Sequence, residues 1–344
     1  MVTHNSFPIQ WMPSFLPPSP SMASPLPSQG RRKIVMITGV NFNGIGYEIA
    51  KAMLTLGYHL IIVDKHSDEH MKALSKDLHL IAPSEDLKIH TISADLTSFD
   101  DLRAVTLQFQ KITSSLGALD ILIHNAGGMI DGLTSEGYSK TVALCLHAPI
   151  ILTHELIPFL SPSSRIVVTC SSTSNMIYLL PSFQVSQLES YTPQAKDDPS
   201  ILNYIRAKYC LKLWVKLLHS KMIRHEIEYQ QSGQEILITS FHPGAVGTNI
   251  FTPLRPFLGP TVFNILMSYL KLSLRTPQEG SMTGVYLAAS SDLSVEDGGG
   301  YFFDCKRVLN EKLTKTCEED FLKELERYSD NLYKKFKSNE QTVK

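Results

Sequence analysis

A doubly wound α/β fold, a parallel sheet of about seven strands with helices on both faces, is what this sequence predicts. Two observations carry that reading. From Arg31 onward, short apolar and β-branched runs alternate with stretches of helical spacing, which is the pattern of repeated βαβ units. The runs also show little in–out alternation, as expected of strands covered on both faces.

The expected strands are Ile34–Ile37, Leu60–Val63, Ile89–Ile92, Ile121–Ile123, Ile166–Cys170, Ile236–Phe241 and Tyr301–Phe303. After the first, Ile45, Ile49, Met53 and Leu56 recur at helical spacing, and Gly57 is placed to end that helix. A second clear helix runs from about Tyr204 to His219. Near the C-terminus Phe321, Leu325, Tyr328 and Leu332 share one face opposite charged residues, so this helix packs on the domain. Residues 176–203 and 255–275 interrupt the rhythm as two insertions. Residues 1–30 hold seven prolines and no Lys or Arg, a composition that predicts a disordered Pro/Ser-rich leader rather than a secretory signal. One oxidoreductase-sized domain is expected over 31–337.

Bulk properties narrow the function. Of the 344 residues 43% are hydrophobic and 19% charged, enough apolar material for a sizeable core. A formal net charge of -1 gives no reason to expect nucleic acid as a partner. The five cysteines are scattered without C-x-x-C spacing, which predicts reduced thiols, no metal site and an intracellular protein. No run reaches the roughly 18 uninterrupted apolar residues of a membrane span. The expected location is therefore cytoplasmic or peripheral to a membrane. Phe257–Leu270, punctuated by Pro260, Asn264 and Ser268, is too short to span a bilayer. It fits a lid or membrane-contacting helix, or equally an ordinary buried one.

The first strand leads into Thr38-Gly39-Val40-Asn41-Phe42-Asn43-Gly44-Ile45-Gly46. A glycine-rich turn before a helix lets a pyrophosphate approach free N–H groups at the helix N-terminus. Asp64 ends the second strand, where an acid can hold both ribose hydroxyls of NAD, while Lys65 beside it can instead meet a 2′-phosphate. Asp95-Leu96 after the third strand reads as an adenine contact or as a cap for the next helix. Asn125, Ala126 and Gly127 follow the fourth strand, where small residues let the backbone line a cofactor cleft. Tyr204 and Lys208, four apart, fall on one helix face. A lysine ammonium and an oxidised nicotinamide would pull a phenol down from about pH 10. Ser171 and Ser172 lie just past the fifth strand. Pro243, Gly244, Val246 and Thr248 follow the sixth, at the sheet edge where open α/β folds bind ligands.

Taken in order over about residues 31–305, these features resemble the short-chain dehydrogenase/reductase family, a Rossmann-type fold. Thr276-Pro277-Gln278-Glu279-Gly280, Tyr286-Leu287-Ala288 and Gly300-Tyr301-Phe302-Phe303-Asp304-Cys305 are similar to its retinol dehydrogenase branch. The resemblance implies an NAD(P)-dependent enzyme interconverting an alcohol and its carbonyl on a lipophilic substrate, retinoid-, steroid- or aldehyde-like. It implies Ser171 as the residue holding the reacting oxygen, Tyr204 as proton donor, and Lys208 as the lysine that also binds the nicotinamide ribose. Pro243, Gly244 and Thr248 would lie near the nicotinamide. NAD is expected over NADP, because Asp64 is short and fixed whereas Lys65 can swing into solvent. Homo-oligomerisation is left open.

Three features depart from the family pattern. Four residues, not three, separate Gly39 from Gly44; Cys145 stands where the family has an asparagine; and Tyr204 lies 33 positions after Ser171. A nucleotide-binding regulator with little turnover is the alternative these departures motivate.

Overall fold

The computed structural model of the protein describes residues 31–179, 183–188, 200–227, 234–246, 259, 274–309 and 315–341. The 1–30 leader, Thr248 and, apart from Gly259, the 257–270 segment lie outside the described residues.

Seven strands form where apolar runs predict them: β1 Ile34–Thr38, β2 His59–Asp64, β3 Ile89–Ser93, β4 Leu119–His124, β5 Leu160–Thr169, β6 Leu237–Phe241 and β7 Tyr301–Phe303. They pair in parallel in the order β3-β2-β1-β4-β5-β6-β7. An eighth strand, β8 Lys306–Arg307, adds antiparallel to β7 at the edge, so the expected sheet of about seven strands has eight. Its two charged residues carry no apolar signal. The reversal that pairs them is made by Asp304 and Cys305, both left-handed at φ 49° and 59°. β5 starts at Leu160, ahead of the expected Ile166, because Ser161-Pro162-Ser163-Ser164 breaks the hydropathy while the backbone stays extended. Its register on β4 shifts between Leu119 and Ile121.

The helices are α1 Ile45–Thr55, α2 Asp68–Ile81, α3 Phe99–Leu116, α4 Lys140–Val142, α5 Ala148–Leu156, α6 Ser200–Ile223, α7 Pro277–Ala289 and α8 Lys315–Gln341. Gly57 takes φ +82° just after α1 and donates its N–H to the Leu54 carbonyl at 2.8 Å. Alternate residues of β1 feed two cores. Ile34 and Met36 join the side chains of α3, α5, α6 and α8; Val35 and Ile37 join those of α1, α2 and α7. Both faces of the sheet are thus covered, which is why its strands read as continuous apolar runs.

The expected stripe on the last helix is buried at Leu325, Tyr328 and Leu332 and continues to Phe336. The run Lys140–Phe159 has the length and apolarity to cross a membrane, yet 72% of its most apolar window is buried inside the protein, as in a core helix. The interrupted region after Ser171 is in part ordered as 3₁₀ turns, Ser172–Leu179 and Val185–Leu188. Val185 and Leu188 are buried, and the Ser186 N–H donates to the Glu324 carboxylate of α8 at 3.0 Å. Of the described turns, Ser172–Leu179 packs against α6 and Val185–Leu188 against α8.

Chain order reverses between β1 and β4, whose neighbours run outward in opposite directions. Such a switch point opens a crevice at the carboxyl ends of the strands.

Candidate active site

A cavity of about 790 Å³ opens at that edge. It is lined by Gly39, Asn43, Gly44, Ile45, Asp64, Lys65, Asp95, Leu96, Asn125, Ala126, Gly127, Ser171, Tyr204, Lys208, Pro243, Gly244 and Val246, all of them expected site residues. Gly46 lies behind this lining. A Cβ there would stand 2.3 Å from the Gly39 carbonyl oxygen and 2.5 Å from Asn125 Nδ2, so its role is close packing of α1 on the strand ends.

The turn into α1 fits a pyrophosphate. Gly39 has φ +74°, and a Cβ on it would come within 2.5 Å of Ala126 Cα. Gly44 occupies the N-cap position of α1 and no side chain bonds across the helix start. The first-turn N–H groups therefore face the cavity without a competing cap. The fourth residue of the lengthened loop is absorbed by Asn43, left-handed at φ 58°, a conformation asparagine tolerates. The loop also carries Phe42 to 5.6 Å from the Tyr47 ring and 5.4 Å from the His70 ring. Behind it, Thr38 Oγ1 accepts the backbone N–H groups of Asn125 and Ala126, each at 3.1 Å. Asn125 Nδ2 donates to the Gly39 carbonyl at 2.7 Å, tying β4 to the turn.

Asp64 is nearly buried at the end of β2, and that burial pushes its carboxyl above the usual range. The Lys65 N–H donates to Asp64 Oδ1 at 2.7 Å, and His66 Nε2 lies 3.4 Å from the same oxygen. Asp95 lines the cavity but its side chain is engaged locally. Thr97 donates to Asp95 Oδ1 through both its N–H (3.0 Å) and its hydroxyl (2.8 Å). Burial pushes this carboxyl up, and the two Thr97 bonds outweigh it and hold it low. The cap of α3 is Ser98, so the capping alternative for Asp95 does not hold.

Ser171, Tyr204 and Lys208 converge on one wall. Tyr204 and Lys208 are buried at 4% and 2% exposure. The Tyr204 phenol hydrogen-bonds the Ser171 side chain. Ser171 Oγ also accepts from Thr173, from its N–H at 3.2 Å and its hydroxyl at 2.9 Å. Lys208 Nζ donates to the Thr169 carbonyl at 2.7 Å and lies 5.9 Å from the Tyr204 ring centre. Gly127 leaves room for that ammonium, since a Cβ there would stand 2.9 Å from Lys208 Nζ. One expectation is corrected. Burial, with the Cys145 thiol next, pushes the Tyr204 phenol above its ordinary value, and the Ser171 hydrogen bond opposes this without reversing it. The lowering expected from Lys208 is therefore not realised in this arrangement.

Cys145 sits in a π-helical turn, Ala143–His147, between α4 and α5. Pro149 has no N–H to give the Cys145 carbonyl four residues back, so the α-helical bond is missing at this position. The thiol donates to the Gly128 carbonyl at 3.5 Å, and burial pushes it above its usual value. Several lining residues carry no local signal in the sequence: His66 and Phe42 at the Asp64 end, and the apolar Met129, Ile130, Leu144 and Ile201. Adjacency to Lys65 could have drawn attention to His66. The apolar four come from one loop, the π-helical turn and α6, and only folding brings them together. Among the described residues no group of His, Cys, Asp and Glu is arranged to hold a metal.

An oxidoreductase of the alcohol/carbonyl type, dependent on a nicotinamide dinucleotide, is the class that this fold and site define. The short chain dehydrogenase family model matches residues 33–182. Over that stretch the chain is similar to the short-chain dehydrogenase/reductase family, and its similarity extends to retinol dehydrogenases. It is 28% identical over 281 residues to the WW domain-containing oxidoreductase of Danio rerio, covering 80% of this chain but only 63% of that protein's length. It is 28% identical over 305 residues to retinol dehydrogenase 14 of Mus musculus, covering 85% of this chain and 83% of that protein. In structure it is similar to L-sorbose reductase from Gluconobacter frateurii complexed with NADPH and L-sorbose. The TM-score is 0.58 with 20% identity, covering 79% of this chain and 95% of that one.

Proposed function

We propose that the protein interconverts a lipophilic alcohol and its carbonyl with an NAD(P) cofactor, NAD being preferred. The observation that carries this is the convergence of Ser171, Tyr204 and Lys208 on the wall of a glycine-cradled cavity that Met129, Ile130, Leu144 and Ile201 also line. Bound in the cradle, the dinucleotide supplies or accepts the hydride. Tyr204 gives its phenolic proton to the carbonyl oxygen during reduction and takes it back during oxidation. Ser171 holds the same oxygen. Lys208, anchored by one donor on the Thr169 carbonyl, has two left for the ribose hydroxyls. The apolar side chains exclude water and fit a retinoid, steroid or long-chain aldehyde better than a polyol. Peripheral membrane contact through 257–270 is part of the same proposal.

Purified protein incubated with NADH or NADPH and a panel of retinoid, steroid and aliphatic carbonyls tests this reading. Turnover with the lipophilic members is the expected result. Dinucleotide binding with no turnover on any of them would favour the regulatory alternative, to which Cys145 in place of the asparagine points.

Cofactor choice is read at Asp64. A carboxylate this close to a 2′-phosphate opposes it by about 1–4 kcal/mol at 4 Å for partly exposed charges. Asp64→Ala is therefore expected to shift the kcat/KM ratio toward NADP(H) and to lower kcat/KM with NAD(H). A wild-type enzyme that already favours NADP(H), or a variant with an unchanged ratio, would show that Asp64 does not read the ribose.

A further inference from the structure

At the turn that follows β6, an ion pair and two stacked rings hold the backbone of one cavity wall. Pro243, Gly244, Ala245 and Val246 line the cavity together with Ser171 and Tyr204. The Arg275 N–H donates to the Ala245 carbonyl at 2.8 Å, and Val246 and Arg275 pair as an isolated parallel bridge. Gly244 is left-handed at φ +81°, and a Cβ on it would stand 2.9 Å from both Arg275 Cδ and Arg275 Nε. The guanidinium is held in its turn. It donates to both carboxylate oxygens of Asp304, from Nη1 to Oδ1 and from Nη2 to Oδ2, the second at 2.9 Å. Its centre lies 4.7 Å from the centre of the Phe303 ring. The same ring stacks on His242 at 4.2 Å, with 8° between the planes. Burial, and Arg275 after it, lowers the His242 imidazole to about 4, so it is neutral. Its Nδ1 accepts the Gly244 N–H at 3.2 Å.

We propose that Arg275, fixed by Asp304 and Phe303, is a positioning residue that sets the 243–246 turn against the nicotinamide end of the dinucleotide. The inference rests on the dinucleotide reading above, with the nicotinamide beside Ser171 and Tyr204. The Arg275 and Asp304 side chains are 32% and 41% exposed, so their attraction alone adds little stability. Geometry gives the pair another use. Its two N–H···O bonds run side by side, which fixes the plane of the guanidinium as well as its place. The arginine stem then occupies the space where a Gly244 Cβ would stand, and the turn cannot relax into it. Asp304 is anchored too. It is left-handed at φ 49°, and the next residue, Cys305, donates its N–H to Thr283 Oγ1 of α7 at 3.2 Å. Gly280 of α7 seats the same turn, since a Cβ there would stand 2.7 Å from Val246 Cγ2 and 3.3 Å from Pro243 Cβ. A wall held this way does not have to be ordered when the nicotinamide arrives, and that lowers the cost of binding it. The groups read as holding the pyrophosphate and the adenosine ribose, the 39–46 turn and Asp64, stand on other elements: β1, α1 and β2.

The test measures dissociation constants of NADH and of ADP-ribose, which lacks the nicotinamide, by calorimetric titration of wild type, Arg275→Gln and Asp304→Asn. Each variant removes the ion pair and keeps much of the side-chain bulk. NADH affinity is expected to fall roughly three- to tenfold in each, as for loss of a bidentate charge-assisted pair. ADP-ribose affinity should stay at the wild-type value, because that ligand does not reach the 243–246 turn. Unchanged NADH affinity in either folded variant would overturn the proposal. So would a parallel loss of both affinities, because Arg275 would then support the fold at large and not the nicotinamide wall. Should Arg275→Gln melt too low to titrate, Asp304→Asn, which is isosteric, decides by the same two affinities. A wild type that binds ADP-ribose as tightly as NADH would overturn the inference and leave the dinucleotide reading standing. One that binds neither ligand would sink that reading and this inference with it.

Discussion

Replacing Tyr204 by phenylalanine lowers kcat by about 10²–10⁴-fold, the range proton transfer contributes, and leaves NADH affinity and melting temperature in place. The ring stays, so the packing of a residue that is 4% exposed is preserved. The hydroxyl lost is the group hydrogen-bonded to Ser171, which keeps its bonds from Thr173. Burial holds the phenol above its ordinary value, so in wild type it stays protonated across the working range until a cation arrives beside it. Reduction, which needs the phenol, should then be flat with pH. Oxidation, which needs the phenolate, should climb as pH rises. Steady-state kinetics in both directions check this together with NADH fluorescence titration. A variant with near wild-type kcat would mean that another group moves the proton.

Gly39→Ala should cost both stability and the cofactor. At φ +74° an alanine loses about 1–2 kcal/mol relative to a right-handed conformation. Its Cβ would also meet Ala126 Cα at 2.5 Å and Ala126 N at 2.7 Å, both backbone atoms that cannot rotate away. Overpacking of this kind adds about 1–3 kcal/mol, a serious fraction of the roughly 5–15 kcal/mol that holds a domain folded. Since the atoms displaced are those that line the turn, NADH affinity should fall by more than about tenfold, equivalent to 1.4 kcal/mol. Gly128→Ala is the control for stability, because a Cβ there meets nothing within 4 Å. Thermal melts and binding titrations that leave Gly39→Ala indistinguishable from wild type would rule out the tight approach of the first turn to β4.

Much of the architecture is legible in the chain because it depends on near neighbours. The apolar runs of β1, β2, β4 and β6 and the Thr38–Gly46 turn each announce themselves over a handful of residues. Elements without such a signal are misjudged. β8 is two charged residues paired only because Asp304 and Cys305 turn the chain back, and the first half of β5 is hidden under serines and a proline. The lengthened glycine loop and the long interval before Tyr204 look in the sequence like threats to the site. In the structure one is taken up by Asn43, and the described turns of the other pack on α6 and α8.

What the sequence by itself determined is the βαβ rhythm, the glycine-rich turn, and which residue types stand at the strand ends. Those are properties of periodicity and local backbone chemistry, and they are complete within about ten residues. Only the tertiary structure decided the partners. Lys208 finds the Thr169 carbonyl across 39 positions, Asn125 closes on Gly39 across 86, and Tyr204 meets Ser171 from a different element. The same is true of charge. Whether Asp64 faces His66 and whether Tyr204 sits high or low follow from burial and from groups that the packed sheet and helices place around them. Electrostatic environment is set by distance in space, and distance along the chain does not encode it.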